Sequence, residues 1–367
     1  MKIGILTHYD VNNQGAQLQL YALYNLLKEW GHQPVVLTYN KNYDFEPELR
    51  KRNQIGITSI PYILRNFLFA KGIGLTWHNV KKYTINRRFR LSTMHHASYC
   101  QTEVDAAIVG SDEVFSLEIG INTMMFGHGV NTRNMIAYAP SCGQTDIKRI
   151  DHFNCRELIQ SGLQHFAALS ARDINTKQII EELTQREVSE VCDPAILYNF
   201  ALSDIKAPSK TPKGDFIAIY SYDARFVESE EVEAIRRFAH ENGLTTVSPG
   251  TYHKWCDVNI ACNALEWLKC MSEAKYIITD TFHGTIAAAI TNRPMALHLS
   301  QKVNSSKMTD LVMRLGLEDR MLHKVSYDNI CRVFTQRLDF DKLNARLEAM
   351  RIHSTKYLKQ SLSNIHA

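Results

Sequence analysis

The stretch KIGILTHYDVNNQGAQLQLYALYNLLKEWGHQPVVLTY, residues Lys2 to Tyr39, decides the fold class. Its opening KIGILTHY is a short apolar run that reads as a strand. GAQLQLYALYNLLKEWG follows with apolar residues at Leu20, Leu23, Tyr24 and Leu27, one face of an amphipathic helix, and Gly31 closes it. QPVVLTY is a second strand. A strand, a helix and a strand in this order predict one turn of a parallel sheet covered by helices.

Outward from that unit the alternation continues. DAAIVGSDEV (Asp105–Val114) reads as a strand ending in a polar turn, and NMIAYAPSCG as another. A helix is expected over 150–164, a short strand in FAALSARD, and a helix over 175–184 that leads into SEVCDPAIL. SDIKAPSKTPKG (Ser203–Gly214), with two prolines among turn-forming residues, reads as a linker. Beyond it the pattern restarts: strand DFIAIYSY, helix SEEVEAIRRFAHENG, strand LTTVSP, helix ALEWLKCMSEA, strand KYIITD, and later strand MALHL. A helix over 306–315 and a long amphipathic one, FDKLNARLEAMRIHSTKYLKQ, complete the chain. The expectation is an α/β protein with two Rossmann-like domains facing a cleft: 1–202, a linker 203–214, 215–340, and a C-terminal helix 341–367 that crosses back to the first domain.

Composition agrees with that division. A chain of 367 residues exceeds one ordinary core and suits two domains of roughly 150–200 residues. Hydrophobic and charged shares of 45% and 22% are those of a soluble globular protein. Lys2 leads directly into a four-residue apolar run, too short for a signal peptide, and nothing reaches transmembrane length, so a cytoplasmic location is expected. The eight cysteines form no CxxC pair and no zinc-ligand spacing, and read as reduced thiols; no metal and no cofactor is expected.

The formal charge of +4 is unevenly spread. From Leu49 to Thr102 there are ten Lys/Arg and no carboxylate, which leaves −6 for the rest of the chain. Within this irregular basic insertion lies the apolar, aromatic PYILRNFLFAKGIGLTW (Pro61–Trp77). No nucleic-acid-binding motif accompanies it. Apolar and basic residues mixed in this way suit reversible contact with an anionic membrane; a solvated basic face over a half-buried helix is the competing reading.

Three turns carry chemistry. In YDVNNQGAQLQ (Tyr9–Gln19), Asn12, Asn13 and Gly15 permit unusual backbone angles where a helix offers free N–H groups. In GSDEVF, Ser111 and Asp112 stand at a strand end, where a structural cap is an equal reading. In ITDTFHGTIAAAITNRP (Ile278–Pro294), His283 and Gly284 occupy the mouth between a strand and a small-residue helix. There the first N–H groups of the helix can hold phosphate while the imidazole transfers a proton. A packed core histidine is the alternative.

Taken together, NNQGAQLQLYAL, DAAIVGSDEVFS and YIITDTFHGTIAAAITNRPM resemble the polysaccharide pyruvyl transferase family, with further echoes in SARD, VCDPAIL and LGLEDRML. The likeness spans nearly the whole chain. It implies a GT-B-like fold, phosphoenolpyruvate as donor, and a sugar of a surface polysaccharide or its lipid-linked precursor as acceptor. The product is a pyruvyl ketal, with phosphate released. Carried onto this chain, the resemblance makes His283 the acid/base and Asp112 the group that orients or deprotonates the sugar hydroxyl. Arg172, Thr281, Gly284, Thr285 and Lys307 fall on the donor side, and Asn13, Gly15, Gln19 and Ser111 on the acceptor side. Many relatives carry Arg or Ser where this chain has Thr281, and Gln and Trp where it has Glu113 and Phe115. A glycosyltransferase using a sugar nucleotide and a non-catalytic glycan-binding member are the two alternatives.

Overall fold

The computed structural model describes residues 1–45, 72–299 and 305–365. The first half is built on a parallel sheet of β1 (Lys2–Leu6), β2 (Gln33–Thr38), β3 (His96–Ser98), β4 (Ala106–Val109), β5 (Met135–Ala137) and β6 (Phe166–Ala168), in spatial order 3-2-1-4-5-6. β7 (Ser170–Ala171) and β8 (Ser189–Glu190) form a separate parallel pair. The second half repeats the winding with β9 (Phe216–Tyr220), β10 (Thr245–Pro249), β11 (Val258–Ile260), β12 (Tyr276–Thr279), β13 (Met295–His298) and β14 (Met321–Leu322). Its order is 11-10-9-12-13-14, again all parallel. Two Rossmann-like sheets are therefore present.

Helices cover both sheets: α1 (Gln14–Glu29), α2 (Ile73–Thr93), α3 (Ile147–His152), α4 (Arg156–Gln164), α5 (Ile174–Thr184), α6 (Pro194–Leu197), α7 (Ser229–Glu241), α8 (Ala264–Glu273), α9 (Phe282–Ile290), α10 (Ser305–Leu315), α11 (Tyr327–Thr335) and α12 (Phe340–Ser363). The helix expected over 150–164 is two. α3 ends at Phe153, and Asn154 adopts a left-handed φ of 53° before α4 begins.

In α1 the side chain of Asn13 accepts the Ala16 N–H at 3.0 Å, and Leu18, Leu20, Leu23 and Leu27 are fully buried. Each such side chain contributes about 1.5–3 kcal/mol on burial. Gly31, at φ 82°, ends the helix in a Schellman turn, with the His32 N–H bonded to the Leu27 carbonyl. The long α12 does cross back. Ser354 Oγ accepts from the Cys192 N–H at 2.9 Å, Tyr357 Oη donates to the Ala137 carbonyl at 2.9 Å, and Arg351 Nε donates to the Ile196 carbonyl at 2.7 Å.

The basic insertion departs most from the sequence reading. Residues 46–71, including Phe67, Leu68 and Phe69, lie outside the described residues. From Ile73 onward the region is not irregular but a 21-residue helix, α2. Its buried face is mostly polar: His78, Lys82, Asn86 and Arg90 follow one another at intervals of four, with Phe89 the one buried apolar side chain among the helix's described residues. Arg90 pairs with Asp10 at 2.5 Å and Asn86 donates to Asn12 Oδ1 at 2.8 Å, both in the first half. Lys82 Nζ donates to the Gly250 carbonyl of the second half at 2.7 Å. α2 thus straps one side of the cleft.

Candidate functional site

In an open parallel sheet the ligand crevice forms where strand order reverses, beyond the carboxyl ends of the strands. Here the reversals lie between β1 and β4 and between β9 and β12. The segments leaving those four strands are Thr7-His8, Gly110-Ser111-Asp112, Ser221-Tyr222 and Asp280-Thr281. They meet at a cavity of about 240 Å3 lined by His8, Asn13, Lys41, Asp112, Glu113, Arg172, Tyr222, Thr281, His283 and Lys307, among others. Chain regions distant in sequence converge because both switch points face one another.

His283 is the second residue of α9. Thr281 caps that helix, its Oγ1 accepting the Gly284 N–H at 3.0 Å. Behind the imidazole, Gly15 approaches so closely that a Cβ there would lie 2.2 Å from His283 Cβ. Fully buried Ala287, Ala288 and Ala289 keep α9 slim enough for this packing. Nε2 of His283 faces Asp193 Oδ2 at 3.5 Å and is buried without a closer partner among the described residues. Nδ1 carries no hydrogen bond among the described residues.

Asp193 is the hub that sequence reading missed. It is fully buried and caps α6, with Oδ1 accepting the Ala195 N–H at 3.0 Å. Its Oδ2 accepts from Arg172 Nη1 at 2.9 Å and from Ser111 Oγ at 2.9 Å, besides facing His283. The Asp-Pro pair in VCDPAIL was its sequence signal, legible as a cap but not as a contact to His283. Arg172 also reaches Asp112 Oδ1 at 3.4 Å and lies over the Phe282 ring, 4.2 Å from its centroid.

Electrostatics follow from this packing. Burial alone pushes the Asp112 carboxyl up, but Arg172, His283, His8 and Lys307 together hold it well below the usual carboxylate range. Asp193 is likewise lowered: burial opposes ionisation, and His283 and Arg172 outweigh it. His8 is pushed down by burial and by Lys41, and both its nitrogens are engaged, Nδ1 with Tyr39 Oη at 3.2 Å and Nε2 with the Glu113 carbonyl at 3.1 Å. Lys41 is lowered by burial against the pull of Asp112 and Glu113, and it has no ion pair or hydrogen bond among the described residues. Lys307 is bound to the Glu113 carboxylate. Among the described residues no three His, Cys, Asp or Glu side chains cluster as metal ligands.

The structure brings His283, Asp112, Thr281, Lys307, Arg172 and Asn13 to one cavity. Gly15 adjoins it as the wall behind the imidazole. Four expected roles need correction. Gln19 is fully buried, donating to Thr7 Oγ1 at 3.1 Å, and does not line the cavity. Ser111 is also fully buried, and its hydroxyl serves Asp193 and the Ala139 carbonyl. The Gly284 N–H is consumed by the Thr281 cap. The Thr285 N–H and hydroxyl both bond to the Thr281 carbonyl, at 3.1 Å each. The donors left open at the start of α9 are the N–H groups of Phe282 and His283, which precede the first intrahelical bond.

Comparisons with known proteins place this geometry in context. Arabidopsis thaliana UGT89C1 complexed with UDP-L-rhamnose aligns with a TM-score of 0.52 at 11% identity, covering 99% of this chain and 98% of that one. UDP-GlcNAc 2-epimerase from Neisseria meningitidis bound to UDP-GlcNAc aligns with a TM-score of 0.50 at 11% identity, covering 99% and 100%. At such identities the likeness is one of fold, the GT-B arrangement. No curated protein sequence matches the chain. A family model described as polysaccharide pyruvyl transferase matches residues 13–298, a span that contains Asn13, Asp112, Arg172, Asp193 and His283. The chain belongs to the polysaccharide pyruvyl transferase family.

Proposed function

We propose that the protein moves a pyruvyl group from phosphoenolpyruvate to a sugar of a surface polysaccharide or its lipid-linked precursor. The observation that carries this reading is His283, whose Nδ1 is unengaged at a cavity bordered by Lys41, Arg172 and Lys307. Phosphoenolpyruvate presents a carboxylate and a phosphate, and ammonium groups with open helix N–H groups suit both. Protonation of the methylene carbon makes it a methyl group and gives the adjacent carbon oxocarbenium character. One sugar hydroxyl bonds to that carbon, the carbon–oxygen bond to phosphate breaks, and a second hydroxyl closes the ketal. Of the two hydroxyl protons released, one balances the proton given to the methylene carbon and the other leaves with phosphate. His283 delivers the first proton, with Asp193 orienting the ring. Asp112, held ionised by Arg172, accepts the hydroxyl proton.

The test is donor turnover. Phosphate release from phosphoenolpyruvate, with a new ketal methyl signal on the glycan, is the expected result. Nucleoside diphosphate release from a sugar nucleotide would make the protein a glycosyltransferase instead, and turnover of neither donor would make it a glycan-binding member.

Contact with an anionic membrane belongs to the same proposal. Among the described residues no helix is long and apolar enough to cross a membrane. On α2, however, Ile73, Trp77 and Val80 are exposed at helical spacing beside exposed Lys81, Arg87 and Arg88. This apolar–basic face suits a soluble enzyme that meets its acceptor at the inner face of the cell membrane.

A further inference from the structure

A second cavity of about 340 Å3 adjoins the first, and the two share Asn13, Tyr220, Tyr222 and Thr281 as a common threshold. It lies between α2 and the segments after β9 and β10, with Asn79, Lys82, Ser221, Asp223 and Thr251 on its walls. The two differ in character. Six side chains of ordinary charge line the first, whereas one ammonium (Lys82) and one carboxylate (Asp223) line the second, the remainder being amides, hydroxyls and phenols.

Among the described residues, the unspent hydrogen-bonding groups of this chamber include both donors and acceptors. Ser221 Oγ is fully buried and has no partner among the described residues. Asn79 makes no hydrogen bond among the described residues. Asn12 and Asn13 spend their oxygens on Asn86 and on the Ala16 N–H, and their NH2 groups make no hydrogen bond among the described residues. Asp223 gives Oδ1 to the Tyr252 N–H at 3.0 Å and keeps Oδ2. Lys82 uses one N–H on the Gly250 carbonyl. Leaving a buried hydroxyl such as that of Ser221 without a partner is costly, and a ligand with matching groups recovers that cost. The half-exposed ring of Tyr222 adds an apolar face at the threshold.

We infer that this chamber holds a pyranose ring of the acceptor, recognised through its hydroxyls by Asn79, Ser221 and Asp223. A neutral polyol supplies alternating donors and acceptors on an apolar frame, whereas an anionic donor belongs with the more heavily charged first cavity. A ring seated here presents hydroxyls across the Asn13–Tyr222–Thr281 threshold toward Asp112. The inference rests on the pyruvyl-transfer reading for its role, but not for the binding itself.

The test is saturation-transfer NMR on the full chain with methyl pyranosides of glucose, galactose, mannose and N-acetylglucosamine. At least one should receive saturation, and Asn79→Ala and Asp223→Asn should each cut it at least about five-fold. Asn79 makes no hydrogen bond among the described residues, so Asn79→Ala should leave the melting temperature level; Asp223→Asn retains the Oδ1 acceptor for Tyr252 but removes a charge beside Lys82, and is read on binding alone. Calorimetric titration with phosphoenolpyruvate should be unchanged in both variants. No saturation of any glycoside, or saturation that survives both substitutions, overturns the chamber. Asn79-dependent glycoside binding without turnover of phosphoenolpyruvate would instead sink the donor assignment and leave the chamber standing.

Discussion

Replacing His283 by alanine removes the imidazole but leaves α9 capped, because the cap is the hydroxyl of Thr281. Activity should therefore fall by about 10²–10⁴-fold while the melting temperature moves little; retention of a tenth of wild-type turnover would sink the acid/base role. Gly15→Ala gives the converse experiment, since its Cβ would press on His283 Cβ and displace an intact imidazole. It should lose activity with His283 still present. Arg172→Ala is a different case, because it strands the buried Asp193 carboxylate beside an unoccupied guanidinium position. Breaking a buried pair costs about 3–5 kcal/mol, so stability should fall together with activity. Lys307→Ala strands only the partly exposed Glu113. It should weaken phosphoenolpyruvate binding by about 1.5–3 kcal/mol with the fold intact, as calorimetry would read. The same geometry explains what the sequence could not tell. The places of His283 and Asp112 at the cavity were legible because each lies just beyond the end of a strand. Gln19 and Ser111 were misread because what turns their side chains inward is a partner, Thr7 for one and the distant Asp193 for the other.

At the scale of elements, the paired sheets were legible because parallel strands buried on both faces read as short apolar runs between helices. α2 was legible only as the half-buried helix of the competing reading, without its bounds, because the helix buries polar residues. Hydrophobic periodicity is blind to a face of His78, Lys82, Asn86 and Arg90 whose partners lie on other elements. One of those residues makes the strap sensitive to pH. Burial, aided by Lys82, lowers His78 to about 4. The unfolded chain, with an ordinary histidine value near 6.5, therefore binds the proton more readily than the folded one. The stabilisation is full above about pH 6.5 and is lost as pH falls toward 4, about 2–3 kcal/mol in all. Denaturation midpoints across this window should fall with pH in the wild type and fall less steeply in His78→Gln, the remaining slope coming from His8, His96 and His253, which burial also lowers. An equal slope in both proteins would place the titration elsewhere. Asp112 and Asp193 act lower on the scale. Their folded values are depressed, so their contribution is present above the unfolded carboxylate value near 4 and is lost as pH falls below it.

At the scale of the whole molecule, α2 joins the cleft to the outer surface, since one face holds Asp10, Asn12 and Gly250 while the other exposes Ile73, Trp77 and Val80. The basic insertion consequently divides in two. Lys82 and Arg90 are spent inside the molecule, so not every cation of the block is available to a membrane. Lys81, Arg87 and Arg88 remain exposed, and each contributes about 1 kcal/mol near an anionic surface, screened within a Debye length. Binding to vesicles containing phosphatidylserine should therefore weaken as salt is raised, and neutral vesicles should bind little. Reversal of Lys81, Arg87 and Arg88 to Glu should abolish the anionic preference, and Trp77→Ala should weaken binding at every salt concentration. Turnover of a short water-soluble acceptor should survive both changes. Adding Lys82→Glu should instead destabilise the strap and reduce that turnover, because its ammonium bonds across the cleft. If co-sedimentation at low salt shows no preference for anionic lipid, the face is solvated and the enzyme reaches its acceptor without it. If the three-residue reversal removes soluble-acceptor turnover as fully as vesicle binding, those cations belong to the acceptor path.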